Sequence, residues 1–175
     1  VVAGSSSGRS TYQNAAQTLR RGVELSLEQQ WGEQWQASLA YTYLQATYDQ
    51  HFSSAGRQIE AGNRLPGVPA TTLYGELLWR PSDRLSTAIE GLYRSKVYVE
   101  DSNQQRPAPG YAVFNWRVRH EQTLQQWTFG QTLRLDNLLD RDYIGSVIVA
   151  EGNGRYYEPA PGRNWYLGAD LAFNF

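Results

Sequence analysis

The chain has 175 residues, 41% hydrophobic and 19% charged, with a formal net charge of −1 and a negative mean hydropathy. This near-neutral balance argues against a nucleic-acid binder, which carries a basic excess, and with no run of 18 apolar residues a membrane-spanning helix is excluded, although a transmembrane β-barrel is not. Cysteine is absent and only His51 and His120 are present, far apart, which leaves no disulfide, no thiol chemistry and no expected metal or cofactor.

Val1 to Ser10 (VVAGSSSGRS) is too poor in apolar residues for a signal peptide, and position 1 is not Met, so the chain is expected to be processed or part of something longer. From there the hydrophobic period is two. Val23, Leu25 and Leu27 alternate with Glu24, Ser26 and Glu28; Trp35, Ala37, Leu39, Tyr41 and Tyr43 alternate with Gln36, Ser38, Ala40, Thr42 and Leu44. Then come Leu73, Gly75, Leu77 and Trp79; Leu85, Thr87, Ile89, Gly91, Tyr93, Val97 and Val99; Ala112, Phe114, Trp116 and Val118; and Trp127, Phe129, Leu133 and Leu135. The last stretch sets Trp165, Leu167, Ala169, Leu171, Phe173 and Phe175 against Tyr166, Gly168, Asp170, Ala172 and Asn174. Alternation of this kind marks strands with one apolar and one polar face. The pattern predicts seven strands in an all-β, antiparallel up-and-down meander. The apolar face holds the odd-numbered residues of the first four strands, the sixth and the seventh, and the even-numbered residues of the fifth.

These stretches, roughly 11 to 16 residues long, exceed the usual soluble strand of about five or six and match a tilted bilayer crossing. Their connections alternate: Gly32–Gln34, Pro81–Asp83 and Leu124–Gln126 are short, whereas His51–Val68, Asp101–Pro109 and Leu138–Arg163 are long. Short turns on one side and long loops on the other are the pattern of an outer-membrane barrel, with the turns periplasmic. Trp31, Trp35, Trp79 and Trp127 fall at strand ends beside the short turns, where amphipathic rings form an interfacial girdle. The other face carries Glu24, Glu28, Glu76, Glu90, Arg94, Lys96, Arg117, Arg119, Arg134, Asp136 and Asp170, either a solvated surface or a lumen in which opposite charges pair across strands. On this assignment arginine at Leu39 or Leu167 impairs insertion, whereas arginine at Thr42 or Gly130 is mild.

Four motifs carry a family resemblance. Arg21-Gly22-Val23-Glu24 opens the first strand, and Gly62-Asn63-Arg64-Leu65-Pro66-Gly67-Val68-Pro69 leads from a loop into the third. Asn137-Leu138-Leu139-Asp140-Arg141-Asp142-Tyr143 follows the sixth strand, with Leu139 where Phe is usual, and Arg155-Tyr156-Tyr157-Glu158-Pro159 precedes the seventh. Together they resemble the C-terminal barrel strands of TonB-dependent outer-membrane receptors of the siderophore type. Read physically, Pro66 and Pro69 lack donors and suit a strand entry, and the Asn137 and Asp140 side chains can bond nearby backbone and end a strand.

The resemblance implies a barrel of about 22 strands with a plugged lumen. Residues 1–175 would be the C-terminal part of that barrel, with no plug domain. It further implies energy-coupled uptake of a ferric siderophore or similar bulky ligand across the bacterial outer membrane, with an inner-membrane energy coupler acting through an N-terminal plug. Trp165, Leu167, Phe173 and Phe175 would form the signal read by the barrel-assembly machinery. Candidate ligand contacts on the long loops are Arg57, Arg64, Arg106, Arg155, Tyr156 and Tyr157, since arginine offers a fork of donors and tyrosine an aromatic face with a polar tip. No catalytic role is expected, because His51 and His120 fall on opposite sides of the predicted path. Two alternatives stand: a small barrel with an adhesive or porin-like role, which needs an eighth strand that Val1–Asn14 does not supply, and a soluble carbohydrate-binding β-sandwich.

Overall fold

The computed structural model describes residues 2–4, 10–12, 17–54 and 56–174. Seven long strands build the main sheet: β1 (Thr18–Trp31), β2 (Trp35–Tyr48), β3 (Thr71–Ser82), β4 (Leu85–Arg94), β5 (Tyr111–Leu124), β6 (Trp127–Asp136) and β7 (Asn164–Phe173). Each pairs antiparallel with its neighbours in sequence, so the order in space repeats the order in the chain. The ladder puts Leu39 between Leu27 and Gly75, Ile89 between Leu77 and Trp116, and Leu133 between Val118 and Leu167. The apolar face is therefore the expected one. Its parity switches at β5 because Arg94 stands opposite Tyr111.

That apolar face is bare. Leu25 is 61% and Leu167 63% exposed, and among the described residues no second layer covers either. Leaving such side chains in water forfeits roughly 1.5–3 kcal/mol each, so the face suits lipid rather than a sandwich interior. At the turn end Trp35 and Trp79 stack with centroids 5.4 Å apart, and Trp127 meets Phe173 at 4.8 Å. Tyr43, eight residues above Trp35 on β2, lies about 27 Å further along the strand at ~3.4 Å per residue, a span that fits the apolar band of an outer-membrane wall.

Three boundaries differ from the sequence expectation. The β3–β4 turn is Asp83–Arg84, and Pro81 lies within β3 where the register shifts between Trp79 and Ser82, a bulge that tolerates a missing N–H. β4 ends at Arg94 instead of running to Val99. The Ser95 hydroxyl accepts the Thr71 N–H at 2.9 Å and closes the ladder. Val99 is then fully buried among the loops, and Lys96 leaves the polar face to stand 5.3 Å above the Tyr98 ring. Lastly, Val2–Gly4 and Ser10–Tyr12 form a small hairpin apart from the main sheet, where no strand was expected. The glycine of the first motif has a steric cause: a Cβ on Gly22 would stand 2.1 Å from the Tyr43 carbonyl oxygen.

Most of the buried residues gather at the loop ends of the strands and under the connections. Loop 1 (residues 49–70) carries a hairpin, Phe52–Ser54 with Arg57–Ile59, whose Ile59 packs with Ala46, Tyr48 and Leu65. Loop 3 (residues 137–163) carries another, Ile144–Val147 with Tyr157–Pro159, and its Tyr143 ring lies 4.4 Å from that of Tyr111. Ala46, Tyr48, Tyr111 and Val113 all belong to the polar face by register. The loops thus fold over the polar side, while β1 and β7 are the two edges of the sheet.

Candidate functional site

The polar face is a ladder of charges set by strand register. Glu76 and Glu90 stand directly opposite each other, which alone would be unfavourable. Arg117 resolves the clash, donating to Glu76 at 2.8 Å and approaching Glu90 at 3.3 Å as an ion pair without hydrogen-bond geometry. Arg134 adds a bidentate pair to Glu90 at 2.9 and 2.8 Å and a third bond to Asp136 at 2.7 Å. Further toward the turns, Arg119 forks to Asp170 at 2.8 and 3.1 Å and also reaches Glu121 and Thr132. The cross-strand pairing expected of a lumen wall is present. Gly130 is on this face, as expected, and a Cβ there would come within 2.5 Å of the Arg119 guanidinium and 2.6 Å of the Asp170 carboxylate, whose tips would have to shift. Glycine leaves the room in which that ion pair crosses β6. Glu24 and Glu28 face the uncharged Thr42 and Ser38.

Above the ladder, loops 1 and 3 interlock with loop 2 (residues 95–110). The Tyr48 hydroxyl donates to buried Asp101 at 2.6 Å. Asn63 donates to the Asp101 and Ser102 carbonyls, both at 3.1 Å, while Asn103 accepts from the Arg64 N–H at 2.7 Å and returns a bond to the Arg64 carbonyl at 2.9 Å. Loop 3 joins through Ala150 N–H to the Val99 carbonyl and through the Tyr157 hydroxyl to the Arg106 carbonyl. Two adjacent carboxyls respond in opposite ways. Burial pushes Glu100 up, but donation from the Ser102 hydroxyl and from the N–H groups of Gln105, Ser102 and Gln104 outweighs it and holds the group below the usual carboxylate range. At Asp101 burial wins over the Tyr48 hydrogen bond, and the carboxyl is raised. Sequence reasoning missed Tyr48, Asn63, Glu100, Asp101 and Asn103 as the ties between loops. The sequence places these residues at the start of the long Asp101–Pro109 loop, where Asn103 adopts φ 57°, but nothing local names its partner in loop 1.

The six candidate contacts are spread over this cap. Arg57 is exposed on the loop 1 hairpin, and Arg64 is half-buried with its backbone clamped by Asn103. Tyr157 is brought against Arg106 through the latter's carbonyl, leaving that guanidinium exposed. Arg155 is exposed at the tip of loop 3, where its N–H binds Glu151 at 3.0 Å, and half-buried Tyr156 sits 6.2 Å from the Tyr157 ring. No hydrogen bond or ion pair among the described residues engages the guanidinium groups of Arg57, Arg64, Arg106 or Arg155. Asn137 and Asp140 have the turn role read from sequence. Asn137 accepts the Arg141 N–H and donates to its carbonyl, both at 2.9 Å, and Asp140 accepts the Arg163 N–H at 2.8 Å. Trp165, Leu167 and Phe173 share the apolar face, and Phe175 lies outside the described residues. His51 is in loop 1, whereas His120 is in β5 opposite Leu85 and Gln131. Among the described residues no group of three or more His, Cys, Asp or Glu side chains is placed to hold a metal ion.

Comparison with known proteins gives a consistent picture. The sequence model of the family described as TonB dependent receptor-like, beta-barrel matches residues 1–138. The siderophore receptor PiuA from Acinetobacter baumannii is similar at 22% identity and TM-score 0.73, over 89% of this chain and 22% of that one. The ferric-catecholate import receptor Fiu from E. coli K12, in its closed form, is similar at 19% identity and TM-score 0.68, over 98% of this chain and 23% of that one. The unliganded ferric citrate transporter FecA is similar at 15% identity and TM-score 0.75, over 89% and 24%. At these identities the likeness is one of fold. The chain spans less than a quarter of the length of each of these structures.

Proposed function

Because the chain belongs to the TonB-dependent receptor-like β-barrel family, we propose that its 175 residues are the C-terminal part of a longer outer-membrane receptor for a ferric siderophore or similar bulky chelate. The polar face then lines the lumen, the apolar face meets lipid, and the three long loops form part of the outer vestibule. Uptake draws on an inner-membrane energy coupler through an N-terminal plug, and the assembly machinery reads the apolar row of β7, Trp165, Leu167, Phe173 and Phe175. Arg57, Arg64, Arg106, Arg155, Tyr156 and Tyr157 supply vestibule contacts. The reading involves binding and passage, with no bond made or broken by these residues.

The observation that carries this reading is the inward fold of the loops. A sheet with a bare apolar face, a paired-charge polar face and connections knitted over the polar side is a wall with an outside, an inside and a roof. Equilibrium binding of ferric siderophores to the full-length receptor, folded in detergent, tests it, together with iron uptake in cells with and without the energy coupler. Saturable binding and coupler-dependent uptake are expected. Passive, unsaturable passage of small solutes would instead favour a porin-like barrel.

A further inference from the structure

The lumenal arginines fall into two groups. Arg117, Arg119 and Arg134 are each engaged by carboxylates of the same wall, and Arg80 donates to Gln36 at 3.2 Å. Arg94 is different. It closes β4 on the lumenal face, with uncharged Thr72 on one side and uncharged Tyr111 on the other. No carboxylate on either neighbouring strand can reach it from the paired position, and no hydrogen bond or ion pair among the described residues engages its guanidinium. It also faces a cavity of about 330 Å³ walled by all three loops, with Gly67 from loop 1, Ala108 from loop 2 and Val147 and Val149 from loop 3. Among the described residues Arg94 is the one charged side chain lining that cavity.

We propose that Arg94 is the anion-recognition residue of the receptor, taking a carboxylate or catecholate oxygen pair of the chelate in the cavity beneath the loops. The inference rests on the chelate-uptake reading above and adds to it the charge class of the ligand. A single cation in a ligand-sized cavity whose other lining residues, Ser95 and Ser146 among them, are uncharged is under-compensated. Arg94 is exposed, so an incoming anion reaches its guanidinium from solvent, and salt weakens the attraction. The planar fork of donors matches paired oxygens in a way that an ammonium does not. Tyr111, paired opposite Arg94 in the ladder and packed on the Tyr143 ring, contributes to the cavity wall. A neutral chelate would leave this cation unanswered inside the site, so Arg94 selects against it.

The test uses the full-length receptor folded in detergent, with three probes: ferric citrate, a ferric tris-catecholate and a neutral ferric trihydroxamate. Wild type is expected to bind at least one anionic probe, with affinity that falls as salt rises. Arg94→Gln should lower that affinity about tenfold or more, the scale of a lost charged hydrogen bond, and flatten the salt dependence. Arg94→Lys should restore part of it by supplying charge without the fork. Heat-modifiable mobility should be unchanged in both variants, since the Arg94 side chain has no hydrogen-bond or ion-pair partner among the described residues. Equal binding of an anionic probe by wild type and Arg94→Gln overturns the assignment. So does a wild-type receptor that binds only the neutral probe, although the uptake reading then survives. A wild type that binds none of the three overturns both.

Discussion

Parity decides what a single substitution costs on this wall. Leu39 lies on the apolar face between Leu27 and Gly75, and Leu167 lies on the same face of the edge strand beside Leu133. Arginine at either is expected to cost roughly 2–4 kcal/mol near mid-membrane and to reduce the fraction of receptor folded in bilayers. Thr42→Arg, on the opposite face across from Glu24, should fold almost as wild type, and equal losses at Thr42 and Leu39 would overturn the assignment of faces. A side chain at Gly130 would require the tips of Arg119 and Asp170 to shift, so Thr42 is the cleaner position for comparison. Glu100 offers a pH readout outside the membrane. Its folded value lies below the ordinary one, so its contribution to loop order is present above the usual carboxylate range and lost as pH falls through the folded value. Hydrogen exchange at the Ser102, Gln104 and Gln105 amides should therefore speed up on acidification once intrinsic rates are removed, and Glu100→Gln should abolish that dependence. Asp101, raised by burial, acts with the opposite sign: its ionised form is the disfavoured one, and acid relieves it.

Turns and loops of this chain differ in what they hold. The Asp83–Arg84 turn fixes the β3–β4 register, already offset by the bulge at Pro81. Removing one residue there should shift pairing and expose the wrong face, seen as loss of heat-modifiable mobility in the full-length receptor, while any receptor that does fold keeps its ligand affinity. Deleting residues 152–162 should do the reverse. That deletion takes away the Tyr157–Pro159 strand of the loop 3 hairpin and the Tyr157 tie to Arg106, yet leaves the ladder of the main sheet intact. The expected result is a folded barrel with weaker chelate binding, measured at equilibrium; unchanged affinity would leave loop 3 a shielding role. The strands themselves were readable because alternation is a local signal that repeats over ten or more residues. Their ends were not: β4 stops at Arg94 through a hydroxyl borrowed from Ser95, a contact with Thr71 that no local pattern announces.

As a whole the described sheet is a wall with two open edges, β1 and β7. Unpaired backbone N–H and C=O groups in lipid cost several kcal/mol each, which one curved sheet cannot recover. Residues 1–175 expressed alone are therefore expected to aggregate in detergent without heat-modifiable mobility, while the full-length receptor shows it. A protease-resistant ring of several copies, detected by cross-linking, would show instead that β1 and β7 complete each other.

Legible in the sequence were the seven strands of the main sheet, its apolar and polar faces, the end at which the long loops lie, and the turn roles of Asn137 and Asp140. Each of these follows from neighbours a few residues apart, through pleat geometry or side-chain bonds to adjacent backbone. The tertiary structure alone decided which charges pair, since Arg134 finds Glu90 across two strands and Arg119 finds Asp170 from 51 residues away. It also decided that the loops close into one cap through Tyr48, Asn63, Asp101 and Asn103, and that Arg94 is left without a carboxylate while other arginines of its face are taken. Six arginines and tyrosines chosen from loop sequence share a chemistry, but the position that faces a cavity with no other charge in its described lining is fixed by register at the end of a strand. Register is a property of paired strands, and no single strand carries it.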